Sequence, residues 1–365
     1  MTSLDIARRR LCSVGLTGPV AVDLAEVVGR LGAVQAQDYG PTKWSLGQRC
    51  VGLDDVGIDV AFDAGAILRT HVLRSTWHFV RPVDIRWMQE LTAPRVHAFN
   101  AYYYRQLGLD DALLRRCGDL ISAALVGGGA LTRKEIATML ERAGIPATGM
   151  RLGYILMHAE LSALICSGPR SGKQHTYALL DERAAGVAAP ERDEALAELT
   201  VRYFTSHGPA TVRDFAWWSS LTIAEIRRGL DLVRGRLESD TVDDITYWYA
   251  ASPAVPSQQP PPSPTVLLLW GYDEYIVGYS ESKYALDLSG VARLGTPDRP
   301  AFNGVVVLDS QVAGCWRRTV SKHSVVIEAT LYVEFDDAQR EALHAAASRH
   351  GAFLGLPSSV VTTSG

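Results

Sequence analysis

The order in which helical and strand-like segments follow one another most constrains the fold of this chain. In its first part, three stretches with helical character precede two short strand-like runs, 66–73 and 76–82. The helical stretches are 3–14, 21–31 and 54–63. The second of them places apolar residues at helical spacing, at Leu24, Val27, Val28 and Leu31. Three helices followed by a two-stranded ribbon is the order of a winged helix-turn-helix, so we predict one here.

The same order returns twice further along the chain. Thr132 with Glu135 has the spacing of a capping box, which marks a helix start. Thr222 with Glu225 repeats that spacing, and strand-like residues follow at 236–250. The repeats are too unevenly spaced for a solenoid. We therefore predict three related small units rather than a repeat array.

A Pro-rich stretch, SPAVPSQQPPPSPT, marks the clearest boundary, and short alternating runs with Gly turns follow it. These runs predict a small sheet or barrel, closed by a final helix at 336–349. The predicted fold class is α+β, with three tandem winged-helix units and a small C-terminal β-barrel. The predicted boundaries are 1–115, 116–187 and 188–251 for the three units, 252–265 for the linker, and 266–365 for the β-barrel and helix.

Charge and cysteine content exclude several classes of protein. The 365 residues carry 36 Lys and Arg against 40 Asp and Glu, a net charge of −4, so any cationic surface must be created by folding. Five Cys without a CxxC pair exclude a disulfide scaffold and a structural zinc site. The N-terminus does not read as a signal peptide, and no run reaches the roughly 20 apolar residues of a membrane span. We expect a cytoplasmic protein with no membrane partner.

Common catalytic and cofactor motifs are missing. The segment GPRSGKQ (168–174) has three residues rather than four before Gly-Lys, and Gln174 stands where a phosphate loop needs Ser or Thr. It reads as a hairpin turn, whose basic residues could still touch a phosphate backbone. The sequence contains no HExxH, GxSxG or GxGxxG. We expect His71 and His78, on neighbouring strands, to be structural, and we predict no metal and no cofactor.

One polar segment remains as a candidate site. Gly32 ends the second helix, so the following VQAQD should be extended, with Gln35 and Gln37 on one face. Two adjacent amides can hold one water, a base edge or a phosphate. On composition alone, the favoured interpretation is that both amides form hydrogen bonds with neighbouring backbone groups. Adjacent carboxylates at Asp273 and Glu274 would point to opposite faces of a strand, which favours a structural role for them.

Five separated stretches of the sequence resemble a known family, and this resemblance favours a functional role for the two Gln residues. They are LGAVQAQ (31–37), LRSTWHFVRPVD (73–84), RYFTSHGPATVRDFAWWSSL (202–221), LLLWGYDEYIVGY (267–279) and GCWRRT (314–319). In this order the chain resembles the AlkZ/YcaQ-like winged-helix DNA glycosylases. The resemblance implies tandem winged helices with a β-barrel, and a catalytic Gln-apolar-Gln/Asp signature at Gln35, Ala36 and Gln37. The second Gln resembles the AlkZ branch, which implies unhooking of interstrand crosslinks made by bifunctional alkylating natural products, as self-resistance in a producer.

The chemistry of the resemblance is consistent with two amides. A Gln side chain does not ionise and is a poor general base. An N7-alkylated purine is already cationic and leaves without being protonated, so a placed water and electrostatic support suffice. We therefore predict a monofunctional DNA glycosylase in which Gln35 and Gln37 position water, without strand cleavage. Its partner would be double-stranded DNA with alkylated purines or crosslinks, and the resemblance implies a monomer.

DNA also requires basic side chains on one surface. The candidate phosphate contacts are Lys43, Arg74, Arg170, Lys173, Arg317 and Arg318. Two other functions stay open: a non-catalytic winged-helix regulator, and a hydrolase or binder of the free toxin.

Overall fold

A computed structural model describes residues 1–18, 21–186, 189–250, 263–292 and 304–365. Most of the predicted linker, 252–265, lies outside these residues. The architecture is mixed α+β, as predicted. Within the described ranges, no helix combines the length and apolar character that a membrane span requires.

The first unit follows helix α1 (Ser3–Ser13) and has the order helix, strand, two helices, two strands. Its elements are α2 (Leu24–Leu31), β1 (Val34–Gln35), α3 (Tyr39–Gly47), α4 (Asp55–Ala64), β2 (Leu68–His71) and β3 (Trp77–Val80). The strands form an antiparallel sheet in the order β1-β3-β2. The helices and the ribbon lie within a few residues of their predicted positions, and β1 falls in the segment predicted to be extended. Helix α3 and the pairing of β1 with β3 were not assigned from the sequence.

A 25-residue helix, α5 (Pro82–Gln106), links the first two units and was missed by the sequence analysis. Pro82 stands in its first turn, where a missing N–H costs nothing. Its buried residues include the polar Gln89, Thr92 and Asn100 beside apolar ones. These buried polar side chains interrupt the apolar periodicity on which helix prediction depends.

The second unit repeats the order of the first. Its elements are α6 (Asp111–Leu125), β4 (Leu131–Thr132), α7 (Arg133–Arg142), α8 (Gly149–Leu161), β5 (Ile165–Ser167) and β6 (Thr176–Leu179), followed by a short α9 (Leu180–Arg183). The sheet order is β4-β6-β5. The capping box of Thr132 and Glu135 is confirmed. The segment 168–174 is the hairpin turn between β5 and β6, as predicted.

The third unit shows the order again, with a single bridge in place of its first strand. Its elements are α10 (Arg192–Ser206), α11 (Val212–Ser219), α12 (Ile223–Leu232), β7 (Leu237–Val242) and β8 (Ile245–Ala250). Ala210 pairs with Trp248 where the first strand would stand. The capping box of Thr222 and Glu225 is also confirmed.

The C-terminal region is an open sheet in the described residues, which corrects the predicted β-barrel. Its elements are β9 (Val266–Leu269), α13 (Glu274–Val277), a 3-10 turn (Lys283–Leu286), β10 (Gly304–Leu308), β11 (Gln311–Val320), β12 (Val325–Leu331), α14 (Asp337–Phe353) and β13 (Ser358–Ser364). The strand order is β13-β12-β11-β10-β9. Strand β13 pairs parallel to β12 after the crossover helix α14. That crossover places the helix on one face of the sheet, so the apolar strand faces are covered without closure.

The hydrophobic core joins the first unit, the third unit and the C-terminal sheet into one cluster, whereas most of the second unit has its own core. The Trp44 indole N–H donates to the Leu268 carbonyl at 2.7 Å and ties α3 to β9. Strand β1 lies where these parts meet, because the C-terminal Glu274 accepts a hydrogen bond from its Gln35 backbone. The fold therefore surrounds the candidate segment with elements distant in sequence.

Candidate functional site

Strand β1 presents the two candidate amides. It pairs with β3 through Val34↔Phe79 and Gln35↔His78, and the Ala36 N–H continues the ladder to the Trp77 carbonyl at 2.7 Å. The segment is thus extended, as predicted, and Val34 is buried. Gln35 is only 6% exposed, whereas the side chain of Gln37 is exposed. Alternation along the strand places the two amides on one face, one deep and one at the surface.

One amide contacts the turn between β2 and β3, and the other contacts the first residue of β3. Arg74 Nη2 donates to Gln35 Oε1 at 2.9 Å, and the Trp77 backbone N–H approaches Gln37 Oε1 at 3.4 Å. Leu73 adopts a left-handed φ of 65° immediately before Arg74. Such a conformation is strained for Leu and persists only where its surroundings require it. The half-buried Arg74, predicted as a DNA contact, therefore also orients the deeper amide.

His78 lies under the same turn as a neutral imidazole. Its Nδ1 lies 2.9 Å from the Thr76 carbonyl and its Nε2 lies 3.5 Å from Arg74 Nη2. Burial, with the charge of Arg74, lowers the pKa of His78 to about 3. A neutral ring donates from Nδ1 and accepts at Nε2, which fits both neighbours. His71, by contrast, bonds to Glu160, so the two strand histidines serve separate networks.

We expect buried histidines to make stability fall below pH 6.5. Burial also lowers the pKa of His350 to about 3, as for His78. Because both pKa values are depressed, the unfolded chain binds these protons first, and stability present above pH 6.5 is lost on acidification. From pH 7 to 5.5 the two groups should cost about 2–3 kcal/mol of unfolding free energy, since each pH unit is worth about 1.4 kcal/mol per proton. Urea unfolding at both pH values measures the total loss, to which His97 and His175 also contribute, since burial lowers the pKa of each to about 4.

The matched variant is His350→Gln, which removes one titrating group away from β1. It should remove roughly 1 kcal/mol of the pH-dependent loss. Carboxylates contribute little in this window, because their ordinary pKa values lie below it. An unchanged pH dependence in His350→Gln would show that His350 is not buried as a neutral ring.

Glu274 is the main site residue that the sequence analysis assigned to structure. It is 1% exposed and starts α13 rather than lying on a strand. Its carboxylate accepts from the Gln35 N–H and the Trp218 indole N–H, both at 2.9 Å, and lies 3.2 Å from His207 Nε2. Adjacent Asp273 instead pairs with Arg49. In the sequence, only the adjacent acidic residues among aromatic ones marked this position, and that pattern did not indicate a contact with Gln35.

The hairpin of the second unit docks beside the candidate strand. Arg170 pairs with Asp63 at 2.8 Å and with Asp59 at 2.7 Å on α4. The His175 ring packs edge-on against Tyr39, with 4.5 Å between centroids. Tyr39 follows Gln37 by two residues, so the hairpin tip lies near the exposed amide. This contact brings Lys173, which is exposed, into the same region.

The six predicted phosphate contacts differ in how their charges are engaged. Lys43 is 5% exposed, with its ammonium 2.8 Å from Asp55 and 2.9 Å from Asp59, which argues against contact with DNA. Arg170 is held by α4, and Arg317 pairs with Glu328 at 2.8 Å. The remaining positions are half-buried Arg74 on Gln35, half-buried Arg318 near His350, and exposed Lys173.

This arrangement favours positioning over proton transfer. The amides are neutral, and His78, beside Arg74, is deprotonated throughout the physiological range. Amide oxygens and N–H groups can hold a water and face developing charge. In the described part of the chain, no group of three or more His, Cys, Asp or Glu is placed to hold a metal ion.

Comparisons with known proteins give matches over most of the chain. The family described as "DNA glycosylase AlkZ-like" matches residues 28–353. An interstrand DNA cross-link repair glycosylase of Streptomyces sahachiroi is 24% identical over 330 residues, which are 87% of this chain and 86% of the relative. The solved structure of the DNA glycosylase AlkZ from Streptomyces sahachiroi has a TM-score of 0.80 at 22% identity, covering 99% of this chain and 100% of that one. This structural likeness shows the fold.

Proposed function

Because the chain belongs to the AlkZ-like DNA glycosylase family, we propose that it hydrolyses the N-glycosidic bond of N7-alkylated purines in double-stranded DNA. The observation that carries this proposal is the pair of amides on β1, with Gln35 fixed by Arg74 at 2.9 Å and Gln37 exposed. We further propose that the substrates include interstrand crosslinks, as the name of the Streptomyces sahachiroi relative states for that protein.

In the proposed reaction, the C1′–N9 bond breaks and its electron pair moves into the cationic purine, which leaves as a neutral alkylated base. Water held by the two amides bonds to C1′, and its proton passes to solvent. Charge therefore moves from the base to the sugar and then to the released proton. Arg74 occupies one lone pair of the Gln35 oxygen, and a carbonyl oxygen has two. The second lone pair and the Gln37 amide are the groups we assign to the water.

Several finer features belong to the same proposal. The thrice-repeated order of helices and strands supports three winged-helix units with the boundaries predicted above. We propose a monomer that acts in the cytoplasm and protects a producer of an alkylating natural product. We assign no amine nucleophile to the reaction, so it should stop at the abasic site.

The test is base release from duplex DNA containing a single N7-methylguanine, followed by alkaline cleavage of the abasic product. The proposal requires alkali-dependent strand breaks at the lesion and no product trapped by borohydride. Breaks without alkali, with a trapped covalent imine, would contradict the hydrolytic step. Tight binding without base release would favour a regulator, and loss of a free alkylating toxin without DNA would favour a toxin hydrolase.

We expect Lys173 to contribute one phosphate contact. Lys173→Ala should weaken duplex binding a few-fold and reduce the slope of log K against log salt by about 0.9, the value for one phosphate. Lys43→Met removes a charge closer to the motif in sequence, but one already paired with Asp55 and Asp59. It should leave the slope unchanged. Fluorescence anisotropy at several salt concentrations measures both slopes, and equal slopes for Lys173→Ala and wild type would exclude that contact.

A further inference from the structure

Glu274 is a buried charge that the proposed reaction has not used. Its carboxylate is held by three elements at once: the Gln35 backbone on β1, Trp218 on α11 and His207 after α10. Each donor or ring lies within 3.2 Å. A buried ion is costly, and an apolar residue would fill the space at lower cost. The site therefore maintains a negative charge at the backbone of its deeper amide.

The carboxylate is ionised at every pH at which the protein works. Burial alone would raise the pKa of Glu274, but the hydrogen bond and the charge interaction with His207, the hydrogen bond from Gln35 and the charge of Arg74 lower it to about 2. His78, on the other side of Arg74, is neutral. The Glu274 carboxylate thus contacts the Gln35 backbone and the Arg74 guanidinium its side chain, and the His207 ring is bonded to the carboxylate.

This charge answers a difficulty in the proposed reaction. Two neutral amides cannot balance positive charge on the sugar, and Arg74 places a cation directly on Gln35. Asp38 is exposed, where water screens its charge. The Glu274 Oε1 lies 2.9 Å from the Gln35 backbone nitrogen and is buried, so its charge acts over several ångströms with little screening by water.

We propose that Glu274 is a positioning residue of the site: it fixes the backbone of Gln35, and its negative charge offsets Arg74 and favours positive charge at the lesion sugar. This inference rests on the proposed glycosylase function. It predicts that the charge of Glu274, and not only its hydrogen bonds, determines the rate of base release.

The experiment compares Glu274→Gln, Glu274→Asp and wild type in single-turnover release of N7-methylguanine from duplex DNA, with duplex affinity and thermal unfolding measured in parallel. Glu274→Gln retains an oxygen for the Gln35 N–H but removes the charge. It should slow release about ten- to thirtyfold with duplex affinity within twofold, since the loss concerns the reaction rather than binding. Glu274→Asp retains the charge and should recover most of the rate.

The matched control is Asp84→Asn, which neutralises another buried carboxylate, one that binds Arg81, Trp87 and Arg202 instead. It should change stability and leave the rate within about threefold. If Glu274→Gln is as fast as wild type, or if folded Glu274→Asp is as slow as Glu274→Gln, the inference is wrong while the glycosylase proposal stands. Should Glu274→Gln fail to fold, a rate of Glu274→Asp near that of wild type supports the inference, and a rate slowed tenfold or more contradicts it. If wild type releases no base, both proposals fail together.

Discussion

Replacing Gln37 with alanine should slow base release from N7-methylguanine duplex by about a hundredfold or more while leaving the free energy of unfolding nearly unchanged. Removing one preorganised group at a reacting centre typically costs a factor of about 10²–10³. The Gln37 side chain is exposed and accepts a backbone N–H at 3.4 Å, so the fold depends little on it. Single-turnover kinetics with duplex in the binding range, together with urea unfolding, measures the two effects separately.

Two further substitutions, at Gln35 and at a distant glutamine, serve as controls for Gln37→Ala. Gln35→Ala should slow release to a similar extent and also destabilise the protein, because it leaves the half-buried Arg74 without the oxygen at 2.9 Å. Gln106→Ala changes an exposed glutamine at the end of α5 and should alter neither quantity. A Gln37→Ala protein that releases base at the wild-type rate would remove the amide pair from the mechanism.

Local features of this fold were predictable because their causes lie within a few residues. The capping boxes at Thr132 and Thr222 each require only a partner three positions away, and both are present. The extended β1 follows from Gly32, which ends α2, and from the alternation of small apolar and amide residues after it. The repeated order of helices and strands is a sum of such local signals.

The rest of the site depends on contacts between distant residues, which pattern analysis does not provide. Glu274 meets Gln35 across 239 positions, and its partner on α11 is 56 positions away. The basic residues predicted to contact DNA depend on distant contacts in the same way. Lys43 and Arg170 converge on Asp59 of α4, a pairing that no local motif predicts. Whether a cation faces DNA or a carboxylate is decided by tertiary packing.

The predicted C-terminal β-barrel was wrong for a related reason. Alternating strands with Gly turns describe a barrel and an open sheet equally well. The difference here is the crossover α14, which makes β13 parallel to β12. The helix at 336–349 was predicted, but its position between two neighbouring strands was not readable from periodicity.

A second buried charge shows how firmly this region is tied to the candidate site. Arg49, 2% exposed and just after α3, makes two bonds of 2.7 Å to Asp273, which immediately precedes Glu274. Its Nε donates to the Val14 carbonyl and its Nη1 also donates to the Ser45 carbonyl, both at 2.7 Å. The pair thus fixes the start of α13 against the first unit, and with it the position of Glu274.

Arg49→Met should therefore lower the free energy of unfolding by about 3–5 kcal/mol, because it leaves Asp273 as a buried charge without its partner. Arg317→Met breaks the same kind of pair, with Glu328, but at the surface, where Arg317 is exposed and Glu328 is half-buried, and it should barely move the urea midpoint. Urea unfolding of both variants at pH 7.5 gives the comparison. Since Asp273 holds the helix that carries Glu274, folded Arg49→Met should also release base more slowly. Equal stability losses in the two variants would mean that Asp273 finds other partners or water, and that this pair does not set the geometry of the site.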